Sequence, residues 1–266
     1  MSYRVGLPRY ANVAPLTAFL RVRGFRLEHA VPTELNRKLL AGELDLSLVS
    51  SVFYLEHRER LALLPDFSVA VLGRVYSVNL FSRVPWPEVR RVALTTESAT
   101  SVRLLRLLLG EGVAYRRAEG GLELLRDYDG VLLIGDRAVK AYAGLLPALP
   151  ENVHALPERP SGVYVSDLAE RWYRRTRLPF VFALWAYRRD RPPPPAVVAE
   201  LRRARRLGLG RLAEVAAAEG RRLGVAPELL EHYLWNFRYH LEAPDRDGLA
   251  AFAAELGLSW RPEGSF

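Results

Sequence analysis

The sequence predicts an α/β fold of two lobes with a ligand cleft between them and a set of C-terminal helices. Three observations lead there. Short runs of β-forming residues alternate with helical patterns from residue 3 onward, the rhythm of parallel strands joined by crossover helices. Pro85-Trp86-Pro87 breaks that rhythm, and a second α/β cycle begins after it. Residues 180–185 are then a continuous apolar run of β-formers. They read as a strand with water on neither face, set inside a sheet or between two lobes.

Taken in order, residues 3–7 form a strand, 16–21 a helix, 25–29 a strand and 33–40 a helix. Residues 44–49 are a strand and 52–58 a helical turn, with extended segments at 69–74 and 78–82. Beyond the proline break, 91–94 is a strand, 100–109 a helix, 113–116 and 130–134 strands, and 137–143 a helix. A short amphipathic helix through Leu168 and Trp172 stops at Leu178-Pro179, and the strand 180–187 follows. Four prolines at 192–195 form a stiff spacer that also stops any helix. Helices at 196–207, 212–223, 227–237 and 246–256 complete the chain. Crossings near residues 85 and 185 place 1–84 and 186–266 in a first lobe and 85–185 in a second, inserted one. That is the layout of type II periplasmic-binding-protein-like folds, whose lobes are expected to close on ligand about the two crossings.

At 266 residues and 50% hydrophobic content, the chain can bury a sizeable core in one or two domains. The absence of cysteine excludes disulfides and thiolate chemistry. Lys+Arg at 38 against Asp+Glu at 30 gives a net charge of +8, and Lys38 and Lys140 are the only lysines. The arginines are scattered among glutamates, and the densest cluster (Arg202, Arg203, Arg205, Arg206) reads as the solvated face of one helix. Nucleic-acid binding, which wants a single-sign groove with interleaved aromatics, is not expected; a pocket for a small di-anion suits the positive balance better. Tyr233, Trp235, Phe237 and Tyr239 read as packing for the C-terminal helices. The histidines (29, 57, 154, 232, 240) show no metal-ligand spacing, so no metal is expected. With no apolar run near the roughly 20 residues of a membrane span and no basic-then-apolar N-terminus, the expectation is a cytoplasmic protein that does not enter membranes.

Four segments place small polar residues at the C-terminal end of an expected strand, where open α/β sheets bind ligands. Asn12 falls in the first strand-to-helix loop, as a turn residue or as an amide able to donate and accept. Ser50 and Ser51 precede a helical turn; a cap explains one of them and leaves the other free. Ser98, Ala99, Thr100 and Ser101 open the helix holding Leu104, Leu105 and Leu108, where hydroxyls and free N–H groups can cap the helix or cradle a carboxylate. Gly135 lets backbone approach a ligand, and Asp136 is either the N-cap of the next helix or a ligand contact. No segment is specific alone; together they describe a cleft lined by hydroxyls and amides, with no histidine or free carboxylate placed to act as a base.

Their order and spacing resemble the chorismate dehydratase family of the futalosine route to menaquinone. The matching runs are Gly6…Tyr10-x-Asn12-x-x-Pro15-Leu16, Ser50-Ser51-x-x-Tyr54, Ser77-Val-Asn-Leu-Phe-Ser82, Thr95…Ser98-x-Thr100-Ser101, Leu132-Leu-Ile-Gly-Asp136 and Asp167…Leu178-Pro-Phe-Val-Phe-Ala-x-Trp185, covering about residues 4–187. Pro8-Arg9 departs from the more apolar strand end of the family. The sister dihydroxynaphthoate synthase opens with a cysteine-containing run that this chain lacks. The resemblance implies loss of water from chorismate to give 3-[(1-carboxyvinyl)oxy]benzoate, without a cofactor. It implies catalytic roles for Asn12 and Ser82 and substrate contacts at Ser50, Ser51, Thr100 and Ser101. A solute-binding protein, or a related pathway enzyme of the dihydroxynaphthoate synthase kind, acting on a small aromatic or cyclic carboxylate is the alternative that the fold permits.

Overall fold

The computed structural model describes residues 2–146 and 157–260; His154 lies outside them. Strand β1 (Tyr3–Leu7) leads through a 3-10 turn (Ala11–Val13) into the one-turn helix α1 (Ala14–Thr17), followed by β2 (Phe25–His29) and α2 (Pro32–Leu40). Next come β3 (Leu46–Ser50), α3 (Ser51–His57), the long β4 (Leu61–Val71), β5 (Val78–Ser82), β6 (Arg91–Leu94) and α4 (Ala99–Leu109). Then follow β7 (Ala114–Arg117), β8 (Gly130–Ile134), α5 (Gly135–Leu145), β9 (Tyr164–Asp167) and α6 (Leu168–Thr176). The chain ends with β10 (Phe180–Arg188), α7 (Pro195–Gly210), α8 (Leu212–Leu223), α9 (Pro227–Trp235), β11 (Phe237–Arg238) and α10 (Ala243–Glu255).

The strands form two sheets, ordered β11-β4-β10-β3-β1-β2 and β7-β6-β8-β5-β9. Each has a parallel core, β2-β1-β3 in the first and β7-β6-β8 in the second. In the first sheet β10 and β4 are each antiparallel to both neighbours, and in the second β5 is. β5 and β10 are each the first strand laid down after the chain changes lobe. The sheets are therefore mixed rather than wholly parallel, and β10, buried between β3 and β4, is the interior strand its apolar run predicts.

Sheet membership moves the expected lobe boundaries. Because β5 belongs to the second sheet and β10 to the first, the crossings lie between residues 71 and 78 and between 176 and 180, not near 85 and 185. Pro85-Trp86-Pro87 only turns the chain between β5 and β6, through a 3-10 turn at Trp86–Glu88. The first crossing holds Tyr76 at φ 59, the left-handed region that a tyrosine rarely enters. Such a conformation costs about 1–3 kcal/mol unless its surroundings enforce it. Here Asp167 enforces it, with one oxygen accepting from the Val75 and Tyr76 N–H groups at 2.8 and 2.7 Å. Its other oxygen caps α6 through Ala169 and Glu170 at 3.0 and 3.1 Å.

The C-terminal helices pack on the first lobe, α7 on α1 and α10 on β10. Gly208 lets α7 touch the backbone beneath: a Cβ there would sit 1.9 Å from the Pro15 carbonyl oxygen. The arginine cluster on α7 is not all solvated, since Arg205 is buried, lies over the Phe67 ring at 4.1 Å and pairs with Asp66 at 3.2 Å. Tyr233, Phe237 and Tyr239 are core residues as expected, but Trp235 is 74% exposed. The first helix ends at Thr17, short of the 16–21 expected. Among the described residues no helix is long and apolar enough to cross a membrane.

Candidate active site

A pocket with about 620 Å³ of space between its walls, mouth included, is lined by residues of both sheets. Its floor comes from both lobes. The first lobe supplies Asn12, Leu48, Ser50 and Val69, the second Ser98, Ser101, Ile134 and Gly135, and the first crossing Val75 and Ser77. Phe182 and Ala183 of β10 complete it. Phe182 has no partner in the β4 ladder, whose register passes from Val181↔Ala70 to Ala183↔Val69. A bulge of this kind re-aims a side chain, here into the pocket.

Two polar atoms of the lining stand out. The Asn12 carbonyl oxygen Oδ1 and the Ser50 hydroxyl are buried and make no hydrogen bond within the protein. A buried polar group without a partner costs about 1–3 kcal/mol, which a ligand supplying the missing partner recovers. Apart from Tyr10, no lining residue is ionisable. Burial, reinforced by a hydrogen bond to Glu97, pushes the Tyr10 phenol far above its ordinary range, so it stays neutral. No lining residue is an Arg or Lys either. The positive balance of the sequence is thus not spent inside the pocket. The nearest cation by sequence is Arg9, exposed beside Tyr10 in a groove shared with His29.

Around the pocket the lobes are bonded together. The Tyr10 hydroxyl donates to Glu97 at 2.7 Å. The Ala11 N–H donates to Asp136 at 2.8 Å, and the second oxygen of that carboxylate accepts from Arg222 at 2.7 Å. Ser51 and Thr100 share a hydrogen bond of 3.3 Å, and the Thr100 hydroxyl accepts from the Val52 N–H at 3.1 Å. Ser98 caps α4, its hydroxyl accepting from the Ser101 N–H and donating to the Ser101 hydroxyl. Gly135 sits at φ 55, and a Cβ there would come within 3.1 Å of the Tyr10 ring, so conformation and space both require glycine.

Of the residues singled out from sequence, Asn12, Ser50, Ser98, Ser101 and Gly135 meet in the pocket. Ser51, Thr100 and Asp136 lie at its rim, bonded across it rather than open to it. Ala99 is the first residue of α4 and does not line the pocket. Asp136 is not the cap of its own helix, whose N-cap is Ile134. Ser82 is separated from the site altogether. Strand β5 runs antiparallel to β8, so Val78 pairs with Ile134 at the cleft and Ser82 with Gly130 at the far end, about 13 Å away at 3.3 Å per residue. The Ser82 hydroxyl is bonded to the Val84 carbonyl. For the same reason Ser77, at the start of β5, is the serine of that motif that reaches the pocket. Its signal was available in the direction of the strand, since a reversed strand presents its first residues, not its last, to the ligand. Among the described residues no group of three His, Asp or Glu could hold a metal ion.

Comparisons with known proteins bear on the family and the fold. Residues 3–257 match the menaquinone biosynthesis family. The chain is 70% identical over 263 residues to a chorismate dehydratase of Thermus thermophilus, covering 98% of this chain and 97% of that protein. In fold it is similar to a protein of Archaeoglobus fulgidus, with a TM-score of 0.70 at 18% identity over 96% of this chain and 97% of the other. It is likewise similar to the periplasmic aliphatic sulphonate binding protein of Escherichia coli, with a TM-score of 0.62 at 14% identity over 95% and 90%. Those two likenesses bear on the fold alone, which is the periplasmic-binding-protein-like one.

Proposed function

The chain belongs to the menaquinone biosynthesis family, and from that premise we propose that it is a chorismate dehydratase, a carbon–oxygen hydro-lyase giving 3-[(1-carboxyvinyl)oxy]benzoate on a route to menaquinone. The observation that carries this reading in the structure is an uncharged pocket with two unpartnered polar atoms, the Asn12 Oδ1 acceptor and the Ser50 hydroxyl, which can donate or accept. The substrate is a small di-anion. Neither nucleic acid nor membrane has a part, no cofactor is invoked, and the setting is the cytoplasm.

The substrate's chemistry fits such a pocket. In chorismate the ether at C3 and the hydroxyl at C4 are trans, so the C3 hydrogen and the C4 hydroxyl share one face. The C3 hydrogen is vinylogous to the ring carboxylate, and its removal spreads charge onto that carboxylate as a dienolate. Fixed donors at that end stabilise the charge. The Ser101 hydroxyl, which accepts from Ser98 and keeps its own proton, and the first-turn N–H groups of α4 not taken by the Ser98 cap are suited to this. The C4 hydroxyl then leaves as water, taking up a proton, and the ring becomes aromatic. No lining residue is a competent base. The substrate's enolpyruvyl carboxylate therefore takes the C3 proton, and the pocket's task is to hold that carboxylate in place. Asn12 orients it through its amide N–H groups, or accepts from the departing hydroxyl at Oδ1, and Ser50 donates to the carboxylate or bonds the hydroxyl.

The test is direct. Purified protein incubated with chorismate and EDTA is expected to form the aromatic enol ether. Folded protein that binds chorismate without turnover would return the chain to the solute-binding reading, and folded protein that does neither would overturn both.

A further inference from the structure

We propose that Asp136 is a positioning residue that seats Asn12 when the lobes meet, so that closure and completion of the site are one event; this rests on the reading of Asn12 as the group that orients substrate. The 3-10 turn that carries Asn12 has no side-chain cap of its own, its N-cap being Tyr10. The cap comes instead from the opposite lobe, where Asp136 accepts from the Ala11 N–H, the residue immediately before Asn12, at 2.8 Å. Arg222 on α8 fixes the other carboxylate oxygen at 2.7 Å and is itself held by Glu219 at 2.7 Å. On either side the same segment is gripped twice more. The Tyr10 hydroxyl donates to Glu97 of the second lobe at 2.7 Å, and the Asn12 backbone carbonyl accepts from Tyr239 of the first lobe at 2.9 Å. Two backbone contacts, at Ala11 and Asn12, and the Tyr10 hydroxyl thus fix residues 10–12 from both lobes while the Asn12 side-chain oxygen has no protein partner. With the lobes apart, Asp136 and Glu97 leave, and the turn keeps only its hold on the first lobe. Both oxygens of Asp136 are committed to protein partners, which sets it apart from a substrate contact or a base.

The experiment is a set of variants made in the wild type and in Asn12→Ala. Asp136→Ala removes the cap and is expected to lower kcat/KM by about 10- to 100-fold, the range of a charge-assisted hydrogen bond. Asp136→Asn with Arg222→Gln keeps an acceptor for Ala11 in an uncharged pair and is expected to stay within about 5-fold of wild type, the remainder being the lost charge assistance. In the Asn12→Ala background, Asp136→Ala should cost less than about 3-fold, since two residues acting through one event are not additive. Amide hydrogen exchange at residues 11–13 should quicken in Asp136→Ala while β1 stays protected. The proposal is overturned if the loss from Asp136→Ala is undiminished without Asn12. It is equally overturned if Asp136→Asn/Arg222→Gln is as impaired as Asp136→Ala while the Ala11 amide remains protected, which would assign Asp136 a chemical role. Should Asp136→Ala not fold, Asp136→Asn alone sets an amide N–H against the guanidinium and must be rescued by Arg222→Gln; absence of rescue also overturns it. An Asn12→Ala enzyme as active as wild type would defeat the reading of Asn12 itself, and the exchange result would still report whether Asp136 caps the turn.

Discussion

The interior of the pocket and its rim are built from the same residue types and use them in opposite ways. At the rim, hydroxyls and carboxylates are satisfied by one another across the lobes: Tyr10 with Glu97, Asp136 with Ala11 and Arg222, Ser51 with Thr100. In the interior, Asn12 Oδ1 and Ser50 Oγ have no protein partner at all. A polar group bonded to protein holds the structure, and one left without a protein partner in the wall of a pocket is free to meet a ligand. The pairing of each side chain, rather than its chemistry, separates architecture from function here.

The largest effect should come from breaking the interior. Asn12→Ala is expected to lower kcat by about 100-fold, the scale of a single positioned donor or acceptor in a pre-organised site. Ser50→Ala should follow by about 10-fold or more on the same grounds. Neither removes a protein hydrogen bond from the unpartnered atom, so thermal melting should move little, and Ser50→Ala should hold or gain about 1 kcal/mol by deleting an unsatisfied hydroxyl. Loss of activity accompanied by a large loss of stability would mean that these atoms are structural, and the contrast with the rim would fail.

A rim substitution should reverse that pattern. Thr100→Val keeps the shape but leaves the buried Val52 N–H and Ser51 hydroxyl without their partner. The cost of about 1–3 kcal/mol falls on the closed arrangement of the lobes. The expected result is about a 10-fold drop in kcat/KM carried mostly by KM, with weaker compaction on product binding in solution scattering. A drop confined to kcat would place Thr100 with the interior group.

The first crossing gives a pH test of a third kind of polar residue, one bonded to protein and fully enclosed. Burial pushes the Asp167 carboxyl up to about 6 from its ordinary 3.8, although the N–H groups of Tyr76, Glu170 and Val75 pull it down. A carboxyl raised on folding binds its proton more tightly in the folded state. Its contribution to stability is therefore fully present below the ordinary carboxyl value and is lost as the pH rises through about 6. Asparagine does not titrate, so the urea midpoint of the wild type relative to Asp167→Asn should be higher at pH 4 than at pH 7. A difference that grows toward neutral pH would mean that the N–H groups outweigh burial.

Much of this was legible in the sequence where local signals agree with one another. The helix Leu212–Leu223 and the strands Tyr3–Leu7, Val78–Ser82 and Gly130–Ile134 have the bounds that periodicity predicts. Strand β4 begins eight residues ahead of the segment expected at 69–74 and runs through Pro65, which cannot donate to a ladder. The structure tolerates it where the ladder to β10 is interrupted, the register passing from Ser68↔Leu184 to Leu63↔Ala186. The lobe boundaries were misplaced for a related reason: prolines mark turns, whereas lobe membership is settled by which strands pair over long sequence distances. In the site, the strand-end rule found Asn12, Ser50, Ser98, Ser101 and Gly135. It could not separate interior from rim, because Ser51, Thr100 and Asp136 differ from them only in what the opposite lobe brings to meet them.

The smallest expected effect is also the sharpest test of strand direction. Ser82 belongs to the same motif as Ser77, and family resemblance marks it for catalysis, yet it pairs with Gly130 and Tyr164 at the end of β5 remote from the pocket. Its hydroxyl is 2.9 Å from the Val84 carbonyl, which it bonds at the turn toward Trp86. Replacing it by alanine removes one local hydrogen bond, worth about 1 kcal/mol of stability, and touches nothing that faces substrate. Ser82→Ala should therefore turn over chorismate within about 3-fold of wild type, as substitutions remote from a site generally do. Ser77→Ala, at the end of the strand that lines the pocket, should lose more. If the order is the reverse, with Ser82→Ala inactive though folded and Ser77→Ala unaffected, then the substrate reaches the far end of β5, and the pocket between the sheets is not where the water is lost.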